Sequence, residues 1–230
     1  MIDVERPTEA PASLREGKSH TGADVLEALH CVFLGKCYLC ETPVALGTFE
    51  VDHRRPRADE RFAHLICAWD NLFPTCATFD CNQRRRKSYP NGGLLDPGQG
   101  VELRILQRID GVVSVSLRKS GTVDIVFRAA DPNDLAAVNT AEELDRIHNG
   151  TRSSAIHKVN ALRRAILEHV SSVNMEVYRL VSVSASPTAD PAVLDEQRRR
   201  VQALVSRRAP YAMLVRSVFA SLDLVRALFD

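Results

Sequence analysis

Of the six cysteines in this 230-residue chain, four stand at metal-ligand spacing. Cys37-Tyr38-Leu39-Cys40 is a two-residue knuckle, and Cys76 and Cys81 form a second pair with four residues between them. Two thiolate pairs can close one tetrahedral Zn²⁺ site, structural rather than catalytic because no coordination position stays open. Zn²⁺ has no d-electron preference for geometry, so it tolerates the wider second loop. Cys31, on an apolar face of a predicted helix, and Cys67, in Leu65-Ile66-Cys67-Ala68-Trp69, are expected to be buried small hydrophobes.

Between the cysteine pairs lies Glu50-Val51-Asp52-His53, and Asn82 follows the last cysteine. Hydrolysis of a phosphodiester needs a base to activate water and a cation at the leaving 3′ oxygen. His53 can be that base, because imidazole titrates near neutrality. Asp52, its neighbour on a strand and so expected on the opposite side, can offer a hard oxygen to Mg²⁺ or Mn²⁺, and Asn82 can add a neutral one. Two basic runs bracket these residues: Arg54, Arg55 and Arg57 after His53, and Arg84-Arg85-Arg86-Lys87 after Asn82. An isolated basic run reads as a solvated face, but two around one candidate site favour phosphate contact.

The order Cys37/Cys40, Asp52-His53, Asn71, Cys76/Cys81, Asn82 resembles the HNH endonucleases of the zinc-stapled ββα-metal type. That resemblance implies His53 as general base and Asp52 and Asn82 as ligands of a catalytic Mg²⁺ or Mn²⁺. It also implies that the Asn71 side chain braces the loop orienting the base. It covers residues 37–90 and departs from the family at the Cys76–Cys81 gap, where two residues are usual. More narrowly, the stretches Glu50–Arg57, Ala68–Cys76, Cys81-Asn82 and Leu94-Leu95-Asp96-Pro97 are similar to the HNH subunits of Septu-type anti-phage defence, also found with some retrons. Those subunits work on DNA beside an ABC-type ATPase, so the resemblance implies DNA and such an ATPase as partners.

The elements that must position these residues read as α+β. The first 20 residues are polar, carry Pro7 and Pro11, and are expected to be a flexible arm. A nuclease domain is expected over 21–97, and β-hairpins followed by a helical accessory or docking region over 98–230. Val25, Leu26, Leu29, Val32 and Phe33 predict a helix over 23–35, capped by Thr21 or Asp24 and ended by Gly35. A hairpin over 44–51 turning at Gly47, a helix over 81–88 and a turn over 89–93 complete the cysteine-rich core. Strands are expected at 101–109, 112–117 and 123–127, with turns at Asp110-Gly111 and Ser120-Gly121. Helices follow at 136–148, 154–181, 192–208 and 211–229, with a linker at 184–191. The apolar stripe of 154–181 and of the last two helices is expected to supply both a second core and a docking face for a partner.

Composition bounds the rest. Formal net charge is +1, with 45% hydrophobic and 26% charged residues, an ordinary balance for a globular protein. A near-neutral chain is a poor DNA binder over its whole surface, so affinity must come from a local patch or from a partner. Neither a signal peptide nor a membrane-length apolar run is visible, so a cytoplasmic location with reduced thiols is expected, and no membrane partner. Two alternatives to a metal-dependent DNA endonuclease stand beside it. One is a zinc-stabilised nucleic-acid-binding or scaffold module without catalysis. The other is a stand-alone restriction endonuclease, for which no base-reading region is visible after residue 100.

Overall fold

The structure is a computed structural model and describes residues 1–89, 93–110 and 124–230. It is mixed: helices with two small antiparallel sheets and a cluster of four cysteines. The expected strand at 112–117, the turns at Asp110-Gly111 and Ser120-Gly121, and the Pro90-Asn91-Gly92 part of the expected turn lie outside the described residues.

The first 20 residues are not a loose arm. They contain a single helical turn, α1 (Ala12–Arg15), and bury Met1, Ile2, Val4 and Leu14. Arg6 pins the segment: its guanidinium donates to Trp69 O at 2.7 Å and Leu72 O at 3.1 Å and lies over the Trp69 and Phe73 rings. The Trp69 indole N–H answers by donating to Pro7 O at 3.0 Å. The polar composition of the segment conceals the apolar anchors Met1, Ile2 and Val4.

Helix α2 (Ala23–Val32) forms as its spacing predicts and buries Val25 and Leu29. Its N-cap is Gly22 rather than Thr21 or Asp24, and the Asp24 carboxylate accepts from Ser13 N instead. Gly35, at φ +67°, closes the C-terminus by donating to His30 O at 2.8 Å. Cys31 is exposed on this helix, against the expectation of burial, whereas Cys67 is half-buried against the core.

The expected hairpin over 44–51 does not form. Strand β1 (Glu50–His53) pairs with β2 (Leu72–Thr75), in register Asp52↔Phe73 and His53↔Leu72. Pro74 hides β2 from a strand reading. Its missing N–H costs little here, because its carbonyl accepts from Tyr38 N at 2.9 Å and ties the strand to the first cysteine knuckle. Helix α3 (Cys81–Arg84) stops four residues short of the expected end, because Arg85 turns to extended backbone (ψ 150°) and buries its side chain.

Val101 to Arg104 form a helical turn, α4, rather than the start of a strand. Strand β3 (Ile105–Asp110) then pairs with β4 (Asp124–Ala129). Helix α5 (Leu135–Asn149) packs on β4 and is capped by Asp134, whose carboxylate accepts from Ala137 N. Helices α6 (Ile156–Ser184) and α7 (Pro191–Val205) pack on each other, with Asp190 as N-cap and Pro191 in the first turn of α7. The expected last helix is two pieces, α8 (Ala212–Phe219) and α9 (Asp223–Arg226), broken at Leu222 in extended backbone. Among the described residues no helix is long and apolar enough to cross a membrane.

A continuous core joins the cysteine-rich region to the C-terminal helices. Val159, Leu162, Ile166, Val170, Val173, Val177 and Leu180 of α6 are buried within the chain, so the predicted stripe is core and not a free docking face. The segment before α8 braces the first knuckle: Tyr211 N donates to Glu41 O at 3.3 Å and buried Lys36 donates to Ala209 O at 3.1 Å.

Candidate functional site

Two centres lie back to back in the cysteine-rich region. The first is the thiol cluster. Cys37, Cys40, Cys76 and Cys81 are buried, and their sulfurs all lie within 4.8 Å of one another. Cys40 Sγ and Cys81 Sγ each stand 3.5 Å from Cys76 Sγ. Tetrahedral Zn–S bonds of about 2.3 Å place sulfurs roughly 3.8 Å apart, so the spacing matches one shared ion. The four cysteines could bind a metal such as zinc. None is in a disulfide. The longer second loop is absorbed locally: Asp80 takes a left-handed conformation (φ +51°), Cys81 N reaches back to Cys76 O, and Phe79 is buried beneath. Contacts from the Cys37, Cys40 and Cys81 thiols hold Cys76 down toward the thiolate, while burial pushes Cys40 up. Four thiols this close are best satisfied by a shared cation.

The second centre is a cavity of about 280 Å³ lined by His20, Asp52, His53, Arg57, Asn82 and Lys87 among others. β1 carries Asp52 and His53 to its wall. His53 is mostly buried, and its Nε2 stands 3.0 Å from Ile66 O. A carbonyl only accepts, so Nε2 carries the proton and Nδ1 keeps its lone pair. Burial lowers the His53 pKa and Arg57 lowers it further, against the Ile66 carbonyl and Asp52, which raise it. The ring is therefore a neutral base at neutral pH.

Asn71 is buried behind this loop and does not reach the cavity lining. Its Oδ1 accepts from Arg55 N at 2.7 Å, and its Nδ2 donates to Arg55 O at 3.0 Å and Leu65 O at 3.2 Å. It thus ties the residues just after His53 to the segment that supplies the Ile66 carbonyl. The side chain bridges two segments of backbone.

Asp52 is less free than expected. Its carboxylate accepts from Arg85 through both Nε and Nη2, the latter at 2.8 Å, and from the Tyr38 hydroxyl at 2.8 Å. Tyr38 lies inside the first knuckle, so the thiol cluster and the cavity share a wall. Burial and the Asp52 charge push the Tyr38 phenol well up, keeping it a donor. Lys87 Nζ lies 3.6 Å from Asp52 Oδ1 and donates to both Asn82 O, at 2.6 Å, and Asn82 Oδ1. The oxygens expected to hold a divalent ion therefore converge on one cation, the lysine ammonium. Their chemistry suits a hard ion that keeps several waters.

The basic residues divide. Arg55 and Arg57 are exposed and, among the described residues, have no carboxylate within ion-pair distance. Arg54 is drawn inward to Leu94 O at 2.9 Å and Asp96 at 3.8 Å. Arg85 is buried on Asp52, so it is no surface phosphate contact. Arg86 pairs with Glu142 and Glu143, and Arg84 donates to Phe79 O and Ile147 O. Of the second run only Lys87 lines the cavity.

His20 was missed. The predicted arm delivers its ring edge-on to His53, centroids 4.9 Å apart. Burial, His53 and Arg57 lower its pKa, so this second histidine also stays neutral near pH 7. No spacing signal singles it out, because it reaches the cavity only through the packing of Met1 to Leu14. Compared with known proteins, this chain matches no family model, no curated protein and no solved structure.

Proposed function

We propose that the chain is a metal-dependent HNH endonuclease with a ββα-metal core, hydrolysing phosphodiesters in DNA. The observation that carries this reading is His53. Its Nε2–H is committed to a backbone carbonyl, which leaves Nδ1 its lone pair, and the residue lines a cavity with Asp52 and Asn82. In this reading His53 Nδ1 takes a proton from water and becomes imidazolium. The water oxygen forms its bond to phosphorus as the bond to the 3′ oxygen breaks. Asp52 and Asn82 would hold Mg²⁺ or Mn²⁺, which when bound supplies positive charge at the leaving oxygen. Arg57 and Lys87 neutralise the scissile phosphate, Asn71 holds the loop that aims His53, and Cys37, Cys40, Cys76 and Cys81 hold structural zinc.

The pairing of Asp52 with Arg85 supports a second reading, a zinc-stabilised nucleic-acid-binding module without catalysis. Plasmid cleavage with Mg²⁺ or Mn²⁺, with and without EDTA, separates the two. His53→Ala is expected to leave a zinc-loaded, DNA-binding protein whose cleavage rate falls by about 10²–10⁴-fold. Equal cutting by His53→Ala and parent would refute the mechanism. Because His53 is held neutral, cleavage should stay level near neutrality and fall only below the usual histidine range.

An ABC-type ATPase partner in anti-phage defence, in the cytoplasm, is part of the same proposal. It rests on the sequence resemblance and on the shortage of free basic groups, since only Arg55, Arg57 and Lys87 remain from the two runs. With the α6 stripe internal, what that helix offers for docking is its outer face, bearing exposed Met175, Tyr178 and Val181. Co-purification with the product of the neighbouring gene tests it, and a chain that stays monomeric and cuts fully alone would refute it.

A further inference from the structure

The cation position of the cavity is filled by the chain itself. Lys87 Nζ sits against Asn82 O and Asn82 Oδ1 and 3.6 Å from Asp52 Oδ1. These are the hard oxygens that would hold a divalent ion, and an ammonium cannot share their focus with one. The surrounding charge reinforces the exclusion. Asp52 is already neutralised by buried Arg85, and Arg57 lines the same cavity. Without nucleic acid the wall is net positive, and a second cation gains little by entering.

Lys87 is able to leave. Its side chain is 46% exposed and ends a flexible four-carbon stem. It also lines a neighbouring cavity with Arg55, Arg61 and Phe62, where the Arg55 guanidinium lies 5.9 Å from the Phe62 ring centroid. Lys87 therefore lines two cavities that also share Pro56, one with the candidate base and one with Arg55 beside an aromatic ring. A phosphodiester laid across them brings negative charge to the lysine from outside.

We propose that Lys87 is the resident cation of the Asp52–Asn82 position, and that a bound phosphodiester draws it off and opens the position to a divalent ion. Nucleic acid and metal then bind cooperatively, each raising affinity for the other by the same factor. The inference rests on the nuclease reading for its substrate and deepens it: the metal position is kept closed until a backbone phosphate arrives.

The test reads metal binding rather than cutting. Zinc-loaded His53→Ala protein is titrated with Mn²⁺, followed by electron paramagnetic resonance, with and without a short DNA oligonucleotide. The same titrations are made with Lys87→Met and Lys87→Arg added. With lysine present, the oligonucleotide should tighten Mn²⁺ binding by a factor in the usual coupling range, about 5–150-fold. Lys87→Met should bind Mn²⁺ tightly without DNA and lose most of the oligonucleotide effect, while Lys87→Arg, which restores the charge, should restore the coupling. The proposal is overturned if Lys87→Met binds Mn²⁺ no more tightly than the lysine protein. It is equally overturned if DNA leaves Mn²⁺ affinity unchanged, or if Mn²⁺ binds in no arm. Any of those results alongside His53-dependent plasmid cleavage removes the lysine device and leaves the nuclease assignment standing. Coupling without His53-dependent cleavage does the reverse.

Discussion

The two basic runs around the candidate cavity have nearly the same composition and different fates: of the first only Arg54 turns inward, whereas of the second all but Lys87 do. Arg55 and Arg57 leave the sheet at the end of β1 and stay exposed, with no acid within reach among the described residues. Arg84 ends the one-turn helix α3 and Arg85 and Arg86 follow it, and all three are drawn toward what faces them: the C-terminal carbonyls of α5, the Asp52 carboxylate, and Glu142 with Glu143. The second run is a strap between the cysteine-rich region and α5, and only its last member, Lys87, is left for the cavity. A guanidinium is defined by the acceptor it meets, because its charge is either neutralised by a buried partner or left to water and ligand.

The sharpest way to break this comparison is Arg85→Ala. The Arg85 side chain is fully buried and the Asp52 side chain is 3% exposed. Removing the guanidinium leaves the buried carboxylate only the Tyr38 hydroxyl and the half-exposed Lys87, and breaking a buried pair typically costs about 3–5 kcal/mol. Urea unfolding should show this loss with the four-cysteine cluster intact. A near-neutral result would mean that the run is not a strap.

Acid tests the helix that the strap grips. His148 of α5 is buried against Phe127, and burial pushes its pKa down to about 4 from 6.5. The unfolded state binds the proton first as pH falls, so this stability is whole above about pH 6.5 and lost between there and about pH 4. A shift of that size corresponds to about 3 kcal/mol. The buried ring should not titrate by NMR above about pH 5, and His20, His53 and His169 shift in the same direction.

Arg86→Ala should cost less. Glu143 is fully buried but keeps Arg146 and the Tyr89 hydroxyl as donors. Loss of one charged hydrogen-bonding partner is worth about 1.5–3 kcal/mol. The smallest effect on stability belongs to the first run: Arg55→Ala and Arg57→Ala should stay within about 0.5 kcal/mol of the parent. Each should instead lower the salt slope of DNA binding by about 0.9. Equal salt slopes for parent and both variants would remove the first run from the interface.

Much of the local structure was legible. Asp134 before α5, Asp190-Pro191 at the start of α7, and the three-and-four spacing of α6 follow rules that act within one or two turns of chain. The four cysteines were legible for a different reason: few functions other than a shared metal require thiols at that spacing. Asn71, Asn82 and His53 are singled out by the pattern of the whole motif, and the structure brings His53 and Asn82 to one cavity with Asn71 behind them.

What escaped depends on contacts distant in sequence. β1 passes over its neighbours and pairs with Leu72–Thr75, a strand disguised by Pro74. The N-terminal segment folds in because Arg6 finds two carbonyls and aromatic rings around residues 69–73, and that docking carries His20 to His53. The amino-acid sequence by itself determined the inventory: four thiols that could share one metal, a histidine beside a carboxylate, seven basic side chains and the helices that carry the second core. Only the tertiary structure decided which of those charges face one another, leaving Lys87 between Asp52 and Asn82 and Arg85 beneath them. Ion pairing depends on separation in space and on burial, and neither is a property of the chain until it has folded.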